Sequence, residues 1–391
     1  MKKNVAIYLV GVNSLSGGGG AERFFADFFE LYSKYDDSKY NIYFFTDQKS
    51  IYELNNVNKL LFRNCKLIKL RVFNNRFKKY LENIDMFFKI KKHSISIVHC
   101  ANYNRFDFNR MIFLKQNPFI KVKLVQNIVD CKIPYILEDK INSDYESYYE
   151  RYVKHLKLIN FDGVFSWYKA YVEYFKKIDL TDTKIIFKNI ESRFANTDKF
   201  QPSKEKNKII VFASRFDDQK KPNWFIEAVN ILFNNQKFKN SDWKFEMYGD
   251  GPLKKHLIKL IDKYALSDII TLKSYGRLEK VFPHTSCYVS TQDYENFPSL
   301  SMMEAMASGN IIVARDVGQT DLMVKDNING FLLKKDSPEG LSDVLRQVVS
   351  IHEQALEEMM NESIKLVKEV HNKQNFFSQI EDFWDNLTMT K

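Results

Sequence analysis

The sequence predicts an α/β protein with two domains, each built around a parallel β-sheet. The chain has 391 residues, which at roughly 100–200 residues per domain suggests two domains. Short apolar runs alternate with helical patterns along most of the chain, as is typical of βαβ units. A polar stretch from Asn196 to Asn207 separates two such series and predicts a linker. We therefore expect domains at residues 1–196 and 197–375, followed by a C-terminal helix in 376–391.

The first half opens with a strand at Val5–Val10, a glycine loop and a helix at about Ala21–Lys34. Between residues 76 and 92, six apolar residues recur at helical spacing and predict an amphipathic helix: Phe77, Tyr80, Leu81, Ile84, Phe87 and Phe88. Short apolar runs predict the remaining strands of this half at Asn41–Thr46, Ile95–Cys100, Lys121–Gln126, Val164–Ser166 and Lys184–Phe187.

The second half repeats the alternation. Strands are expected at Lys208–Ala213, Trp243–Tyr248, Ile269–Leu272, Cys287–Ser290 and Ile311–Ala314. Helices are expected at Trp224–Phe233, Leu253–Tyr264 and Leu300–Ala307. The last helix, at Phe376–Leu387, has an aromatic face that must pack somewhere, and the candidates are the cleft edge and the other domain, so that the helix returns toward the N-terminal domain.

Composition excludes several classes of protein. Hydrophobic residues make up 45% and charged residues 28% of the chain, which is ordinary for a folded protein and excludes full disorder. No apolar run reaches the roughly 18–20 residues of a transmembrane helix, and the N-terminus predicts a strand instead of a signal peptide. The four cysteines are far apart, which disfavours a zinc site or a disulfide framework and fits a reducing cytoplasm.

The net charge of +10 is concentrated in the first half. Residues 1–200 hold 34 basic and 22 acidic side chains, whereas residues 201–391 hold 25 and 27. Residues 61–93 alone carry ten Lys or Arg against Glu82 and Asp85. A basic surface favours an anionic membrane, a phosphorylated substrate or nucleic acid, although a solvated lysine-rich surface explains it equally well. The basic amphipathic helix suggests peripheral membrane binding, and the alternative is a domain helix whose apolar face is core.

Two motifs follow the first strands of the two domains. Residues 17–20 are glycines, so Gly18 and Gly19 let the backbone approach a ligand at the N-terminus of the next helix. A flexible strand-to-helix turn is the alternative. In the second domain, Arg215 follows a strand end and Lys220 lies near the start of the next helix. Two cations at a sheet's carboxyl edge are suited to a diphosphate, or else this is only a basic surface loop.

A glycine turn and a longer motif complete the candidate site. Gly249 begins a turn, Gly249-Asp250-Gly251-Pro252, after a strand. Further on, Asn296, Phe297, Pro298 and Ser299 precede a helix closed by Gly309, which predicts a phosphate site at the helix N-terminus. Glu295 lies before this helix. Glu304 lies inside it among apolar neighbours, so a ribose or an internal ion pair should satisfy the buried carboxylate.

Taken together, these residues resemble family 4 glycosyltransferases, which are retaining enzymes of the GT-B fold. The resemblance rests on Gly19-Gly20-Ala21-Glu22-Arg23, Lys188–Glu191 with Phe200-Gln201-Pro202, Arg215 with Lys220, Gly249–Pro252, Glu295–Gly309 and Asp326–Phe331. Three features depart from the family pattern. Eight residues separate the two glutamates instead of seven, residues 316–321 are one residue shorter and end in Asp, and no His follows the strand near Gln126.

The resemblance implies two Rossmann-like domains that face each other across a cleft, with the acceptor on the first and a nucleoside-diphosphate sugar on the second. Arg215, Lys220 and N–H groups near Pro298 and Ser299 would hold the diphosphate, Glu304 the ribose and Glu295 the sugar. Asn127 and Asp130 are the candidates on the acceptor side. No metal, other cofactor or nucleic acid is expected, and the acceptor would be a glycan or lipid-linked molecule in surface polysaccharide or glycolipid synthesis.

Two other functions remain open at this point. One is a nucleoside-diphosphate-sugar 2-epimerase of the same fold, which would act without an acceptor. The other is a non-enzymatic nucleic-acid-binding or membrane-binding protein, which the basic first half suggests and which would not need the motifs of the second half.

Overall fold

The structure, a computed structural model of the chain, divides into two compact units. It describes residues 2–10, 20–47, 64–72, 79–101, 108–128, 154, 157–177, 185–234, 238, 241–274 and 276–389. The first unit comprises Met1–Glu191 together with Gln374–Lys391, and the second comprises Ser192–Lys373. The linker region after Ser192 therefore belongs to the second unit.

The first unit contains a parallel sheet of seven described strands. They are β1 (Lys3–Leu9), β2 (Tyr40–Thr46), β3 (Cys65–Lys69), β4 (Ile95–Cys100), β5 (Lys123–Ile128), β6 (Gly163–Ser166) and β7 (Ile186–Asn189). Their spatial order is β3-β2-β1-β4-β5-β6-β7, so the chain first adds strands on one side of β1 and then crosses to the other side. The carboxyl ends of β1 and β4 therefore flank a topological switch point.

The described helices of the first unit cover the sheet. They are α1 (Gly20–Ser33), α2 (Lys79–Lys92), α3 (Phe108–Gln116), α4 (Lys169–Lys177) and α10 (Lys373–Met389) at the end of the chain. The aromatic face of α10 packs on α1, with ring centroids 5.2 Å apart for Phe24 and Phe376 and 5.0 Å apart for Tyr32 and Phe377. The C-terminal helix thus completes the core of the first unit.

The second unit contains a parallel sheet of six described strands. They are β8 (Ile209–Ala213), β9 (Lys244–Tyr248), β10 (Ile270–Lys273), β11 (Cys287–Ser290), β12 (Ile311–Ala314) and β13 (Gly330–Leu332), in the order β10-β9-β8-β11-β12-β13. The helices are α5 (Pro222–Phe233), α6 (Lys254–Lys263), α7 (Leu300–Ala307), α8 (Pro338–Ser350) and α9 (Glu353–Glu369). The switch point of this sheet lies between the carboxyl ends of β8 and β11.

Most predicted elements of both halves are present with boundaries shifted by a few residues. The sequence analysis missed β3 because its alternation of lysine and apolar residues, Cys65-Lys66-Leu67-Ile68-Lys69, resembles the surrounding basic stretch. Such charge is typical of an edge strand, and β3 is the edge of its sheet. The short β13 and the helices α3, α4, α8 and α9 were also not predicted. Across the described residues, no helix has the length and apolar character needed to cross a bilayer.

Candidate functional site

The candidate residues of the second unit gather at the carboxyl edge of its sheet. Arg215 follows β8, Gly249 follows β9, and Glu295 lies in the loop after β11. Parallel strands place their carboxyl ends at one edge, and ligands of open α/β sheets bind at the switch point of that edge. The loops after β8 and β11 flank this switch point, so the sheet brings most of the predicted donor residues together.

The two predicted cations are oriented by Asp217, which the sequence analysis did not single out. The Asp217 carboxylate accepts a hydrogen bond from Arg215 Nε and another, at 3.1 Å, from the backbone N–H of Lys220. Gly249 lies directly against this segment, because a Cβ at residue 249 would be 2.1 Å from the Ser214 carbonyl oxygen. Gly249 therefore acts by allowing the β9 turn to support the loop that carries Arg215.

Lys220 is joined to the loop that follows β11. Its ammonium donates to Gln292 Oε1, and its carbonyl oxygen accepts a hydrogen bond from Thr291 Oγ1 at 2.7 Å. The Asp293 carboxylate lies 3.1 Å from Lys221 Nζ. These contacts fix the cation beside the loop that leads to Glu295 and α7.

Asn296 is fully buried, and its side chain fixes the shape of this loop. Its Oδ1 accepts a hydrogen bond from Ser290 Oγ at 2.7 Å, and its Nδ2 donates to Thr320 Oγ1 and to the Arg315 carbonyl oxygen, both at 2.9 Å. The Asn296 amide therefore links the loop after β11 to the turn after β12. These hydrogen bonds engage both ends of the Asn296 side chain. The predicted contact between Asn296 and the donor would therefore have to come from its backbone.

Glu295 braces the same two segments. Its Oε1 accepts hydrogen bonds from the backbone N–H groups of Phe297 at 3.0 Å and Gln319 at 2.7 Å. Gly318 has a positive φ of 58°, and a Cβ there would be 2.3 Å from Glu295 Oε2. Burial raises the pKa of Glu295 to about 7, although the backbone donors favour the carboxylate. Glu295 is thus held against the turn after β12.

The other loop residues are also fixed by named partners. The rings of Phe297 and His371 are 5.9 Å apart, and the Pro298 carbonyl oxygen accepts a hydrogen bond from Arg193, which is buried. Ser299 caps α7, since its Oγ accepts a hydrogen bond from the Met302 N–H at 3.4 Å. The N-terminus of the eight-residue helix α7, which carries a partial positive charge, therefore follows a loop whose conformation is fixed by these contacts.

Glu304 is fully buried in α7, as the apolar character of this helix predicted. Its neighbours Met302, Met303, Ala305 and Met306 are also buried. The carboxylate is enclosed in this structure, so contact with a ribose would require the ligand to reach into the sheet edge.

Arg315 is the most prominent residue that sequence reasoning missed. It follows β12, is buried, and forms ion pairs with Asp293, at 2.5 Å, and with Asp336. Its guanidinium also lies 4.9 Å from the centre of the Trp224 ring. Its place directly after a strand was the available signal, but its partners are distant in the sequence. Through its ion pair with Asp293, Arg315 stabilises the loop after β11, and this loop positions Lys220.

Of the candidate residues in the first unit, the structure describes Asn127. Gly18, Gly19 and Asp130 lie outside the described residues.

Asn127 is buried at the end of β5, where its Nδ2 donates to the Ala101 carbonyl oxygen at 3.1 Å beside a cavity of about 10 Å³. Neighbouring His99 accepts a hydrogen bond from Trp384 of α10 at 3.1 Å, and burial lowers its pKa to about 3. In this structure Asn127 therefore faces the core of the first unit.

Among the charged groups at the site of the second unit, Asp217 pairs with Arg215 within the loop after β8, and Asp293 of the loop after β11 pairs with Lys221 and Arg315. They do not form a set of metal ligands. Within the described ranges, no group of three or more His, Cys, Asp or Glu side chains is arranged to hold a metal ion.

Comparison with known proteins identifies a family model that matches the second unit and relatives that match part of the chain. Residues 194–366 match the family model described as Glycosyl transferases group 1. The chain is 32% identical over 146 residues to the poly(ribitol-phosphate) alpha-N-acetylglucosaminyltransferase of Staphylococcus aureus (strain COL). It is 27% identical over 149 residues to the GtfA subunit of the UDP-N-acetylglucosamine–peptide N-acetylglucosaminyltransferase of Streptococcus parasanguinis. These matches cover 37% and 38% of this chain, and the chain spans only 28% and 29% of the two relatives.

The similarity to solved structures extends over nearly the whole chain. The crystal structure of Anabaena HepE in complex with UDP and glucose superposes with a TM-score of 0.71 at 14% identity. The match covers 98% of this chain and 100% of that protein. At this identity the likeness shows the fold alone, and it confirms the predicted GT-B fold class.

Proposed function

We propose that this protein is a retaining glycosyltransferase that moves a sugar from a nucleoside-diphosphate sugar to an acceptor hydroxyl. The observation that carries the proposal is the convergence of Arg215, Lys220 and the N-terminus of α7 at the switch point of the second sheet. The match of residues 194–366 to Glycosyl transferases group 1 supports it. The donor-binding role of the second unit and the acceptor-binding role of the first are parts of this proposal.

The chemistry requires a site that stabilises a departing diphosphate. The bond between the anomeric carbon and the diphosphate oxygen breaks, and the acceptor oxygen bonds to the same face of the sugar while its proton passes to the diphosphate. Negative charge develops on the leaving group, where Lys220, Arg215 and the N–H groups at the start of α7 stabilise it. These groups act without reorganisation because Asp217, Gln292 and the Ser299 cap already hold them. The proposal assigns the charge neutralisation to the protein and requires no metal.

The relatives support a proposal for the donor and the acceptor. The Staphylococcus aureus and Streptococcus parasanguinis relatives are both N-acetylglucosaminyltransferases, so we propose UDP-N-acetylglucosamine as the donor. One relative acts on poly(ribitol-phosphate) and the other on a peptide, which supports a surface glycan, lipid-linked glycan or other surface polymer as the acceptor. Synthesis of such a polymer favours a place at the cytoplasmic face of the membrane, held peripherally.

The test compares two lysines at opposite edges of the second sheet. Lys220→Ala should lower kcat/KM for UDP-N-acetylglucosamine about ten- to a hundredfold, because a hydrogen bond to a charged group is worth about 1.5–3 kcal/mol. Lys208→Ala is the matched control, since Lys208 lies just before β8 and pairs with Asp242 at 2.7 Å. Turnover is followed by mass spectrometry of the products with a panel of glycan acceptors.

The same assay separates the alternatives. An epimerase would convert the sugar nucleotide without an acceptor and would form no glycoside. Normal turnover by a folded Lys220→Ala protein would show that the cation assignment is wrong. Absence of any sugar-nucleotide binding, together with salt-dependent affinity for nucleic acid, would contradict the transferase proposal itself.

A further inference from the structure

Helix α2 of the first unit has two apolar sides, and only one of them contributes to the core. Met86 and Ile90 are buried against the sheet, and Glu82 on the same side pairs with the buried Arg110 of α3. The buried side therefore packs α2 into the core of the unit, as in any domain helix. It does not account for the remaining apolar residues of the same helix.

The opposite side of α2 is an exposed ridge formed by Tyr80, Ile84, Phe88 and Lys92. The three apolar side chains are 61%, 43% and 63% exposed, respectively. Residues four apart fall on one face of a helix, so the ridge is continuous over roughly 18 Å at 1.5 Å per residue. A single exposed apolar residue needs no explanation, but an aligned set on one helix indicates an interaction surface.

The charges around the exposed ridge are basic. Lys91 and Lys92 end the helix, and both are exposed with no ion pair to another residue that the structure describes. Asp85 is neutralised by Lys89 and lies 3.8 Å from Arg71 Nε, while Glu82 is used internally. Lys66 and Lys69 are exposed on the neighbouring edge strand β3. The exposed ridge thus joins apolar side chains to cations whose charge is not cancelled locally.

We propose that the exposed ridge docks on an anionic lipid bilayer, with α2 lying in the plane of the interface. A bilayer offers hydrocarbon for Tyr80, Ile84 and Phe88 and negative headgroups for Lys91 and Lys92. Nucleic acid would match the cations but would leave three large apolar side chains without a comparable environment. A second copy of this chain would place like-charged lysines opposite each other.

The inference rests on the proposed function for its purpose, because it places a transferase where a lipid-linked or surface acceptor is found. Its physical basis is independent of the donor site, since all of its residues belong to the first unit. A variant can therefore lose vesicle binding while keeping donor binding, and the reverse.

The experiment measures co-sedimentation with vesicles of phosphatidylcholine, with and without phosphatidylglycerol. The parent protein should bind the anionic vesicles and release as salt rises from about 0.1 to 1 M, where the screening length falls from about 10 to 3 Å. Lys91→Gln with Lys92→Gln should weaken binding about 25-fold, since about 1 kcal/mol per cation corresponds to about fivefold each. Ile84→Ser with Phe88→Ser should weaken it by more than about 25-fold, because burying each side chain contributes more than one cation does.

Helix α6 of the second unit supplies the matched control. Ile258 is 45% exposed there, between the exposed Lys255 and Lys259. Ile258→Ser with Lys255→Gln and Lys259→Gln should leave vesicle binding unchanged, and all variants should keep the parent's melting temperature.

Three outcomes would overturn the inference while leaving donor binding intact. They are failure of the parent to bind anionic vesicles, equal binding by parent and ridge variants, and loss of self-association in the ridge variants without lipid binding. Loss of UDP-N-acetylglucosamine binding by the parent would instead count against the proposed function.

Discussion

Replacing Gly318 with alanine tests how the turn after β12 is held against Glu295. Gly318 has a φ of +58°, and a Cβ at this position would lie 2.3 Å from Glu295 Oε2 and 2.4 Å from its carboxyl carbon. Such contacts are too short to persist, so either the turn or the Glu295 carboxylate must move. Movement would weaken the 2.7 Å hydrogen bond from the Gln319 N–H to Glu295 Oε1.

Two terms set the size of the effect. A residue with a side chain in the left-handed region costs about 1–2 kcal/mol relative to glycine. Loss of a hydrogen bond to the carboxylate adds about 1.5–3 kcal/mol. The free energy of unfolding of the second unit should therefore fall by about 2.5–5 kcal/mol. For a unit of 150–250 residues this lowers its melting temperature by about 5–20 °C.

The assay is calorimetric unfolding of the Gly318→Ala protein, compared with a control glycine in the same unit. Gly276→Ala is that control, because among the described residues a Cβ there would meet only the Tyr248 ring, at 4.0 Å. It should change the melting temperature by less than about 2 °C. In a Glu295→Ala background, Gly318→Ala should cost only the backbone strain of about 1–2 kcal/mol.

Two results would refute the reasoning. If Gly318→Ala destabilises the parent and the Glu295→Ala protein equally, the glycine is not required by the carboxylate. If it costs no more than Gly276→Ala, neither the backbone strain nor the close contact with Glu295 determines the stability of this turn.

Three further perturbations probe the same site. Burial raises the pKa of Glu295 to about 7 from 4.5, so the stability it contributes is present below pH 4.5 and lost as the pH rises to about 7. The melting temperatures of the parent and Glu295→Gln should therefore diverge between pH 4.5 and about 7, by an equivalent of at most about 3.4 kcal/mol at 1.36 kcal/mol per unit; a constant difference would contradict the shift. Arg315→Met removes the partner of Asp336, which is 59% exposed, and one of the two partners of Asp293, which keeps Lys221, so stability should fall by about 1.5–3 kcal/mol. KM for the donor should rise, whereas Arg315→Lys should recover part of both effects; an unchanged KM would show that Arg315 does not position Lys220. Glu304→Gln should weaken UDP affinity about tenfold or more with kcat less affected, measured by titration calorimetry, and equal UDP affinity would exclude contact with the ribose.

The sequence by itself determined the local elements of this protein. The alternation of short apolar runs with helical patterns predicted two parallel sheets, and Leu300–Ala307 has the predicted bounds. These features depend on neighbouring residues only, because periodicity, caps and glycine turns act over a few positions along the chain. The order of the motifs around Arg215, Gly249 and Glu295 was sufficient to indicate the resemblance to glycosyltransferases, but the role of each side chain was not determined.

Only the tertiary structure decided the long-range partners. The aromatic spacing of Phe376–Leu387 predicted an amphipathic helix but did not identify its partner residues, which are Phe24 and Tyr32 of α1. The pattern of α2 likewise did not show that Met86 is core while Phe88 is exposed, since both are apolar and only the position of the sheet distinguishes them.

The same reason applies to the candidate site. Arg193 and Arg315 were missed because they act on residues brought close by the sheet, such as Pro298, which is distant from Arg193 along the chain. Asp217 acts on Arg215 and Lys220, two and three positions away, but no motif in the sequence marked it. Glu295 shows the difference most clearly. The resemblance to glycosyltransferases implied that Glu295 binds the sugar, whereas its hydrogen bonds depend on a turn after another strand. A pattern specifies which chemistry is present, and the three-dimensional packing decides what each group contacts.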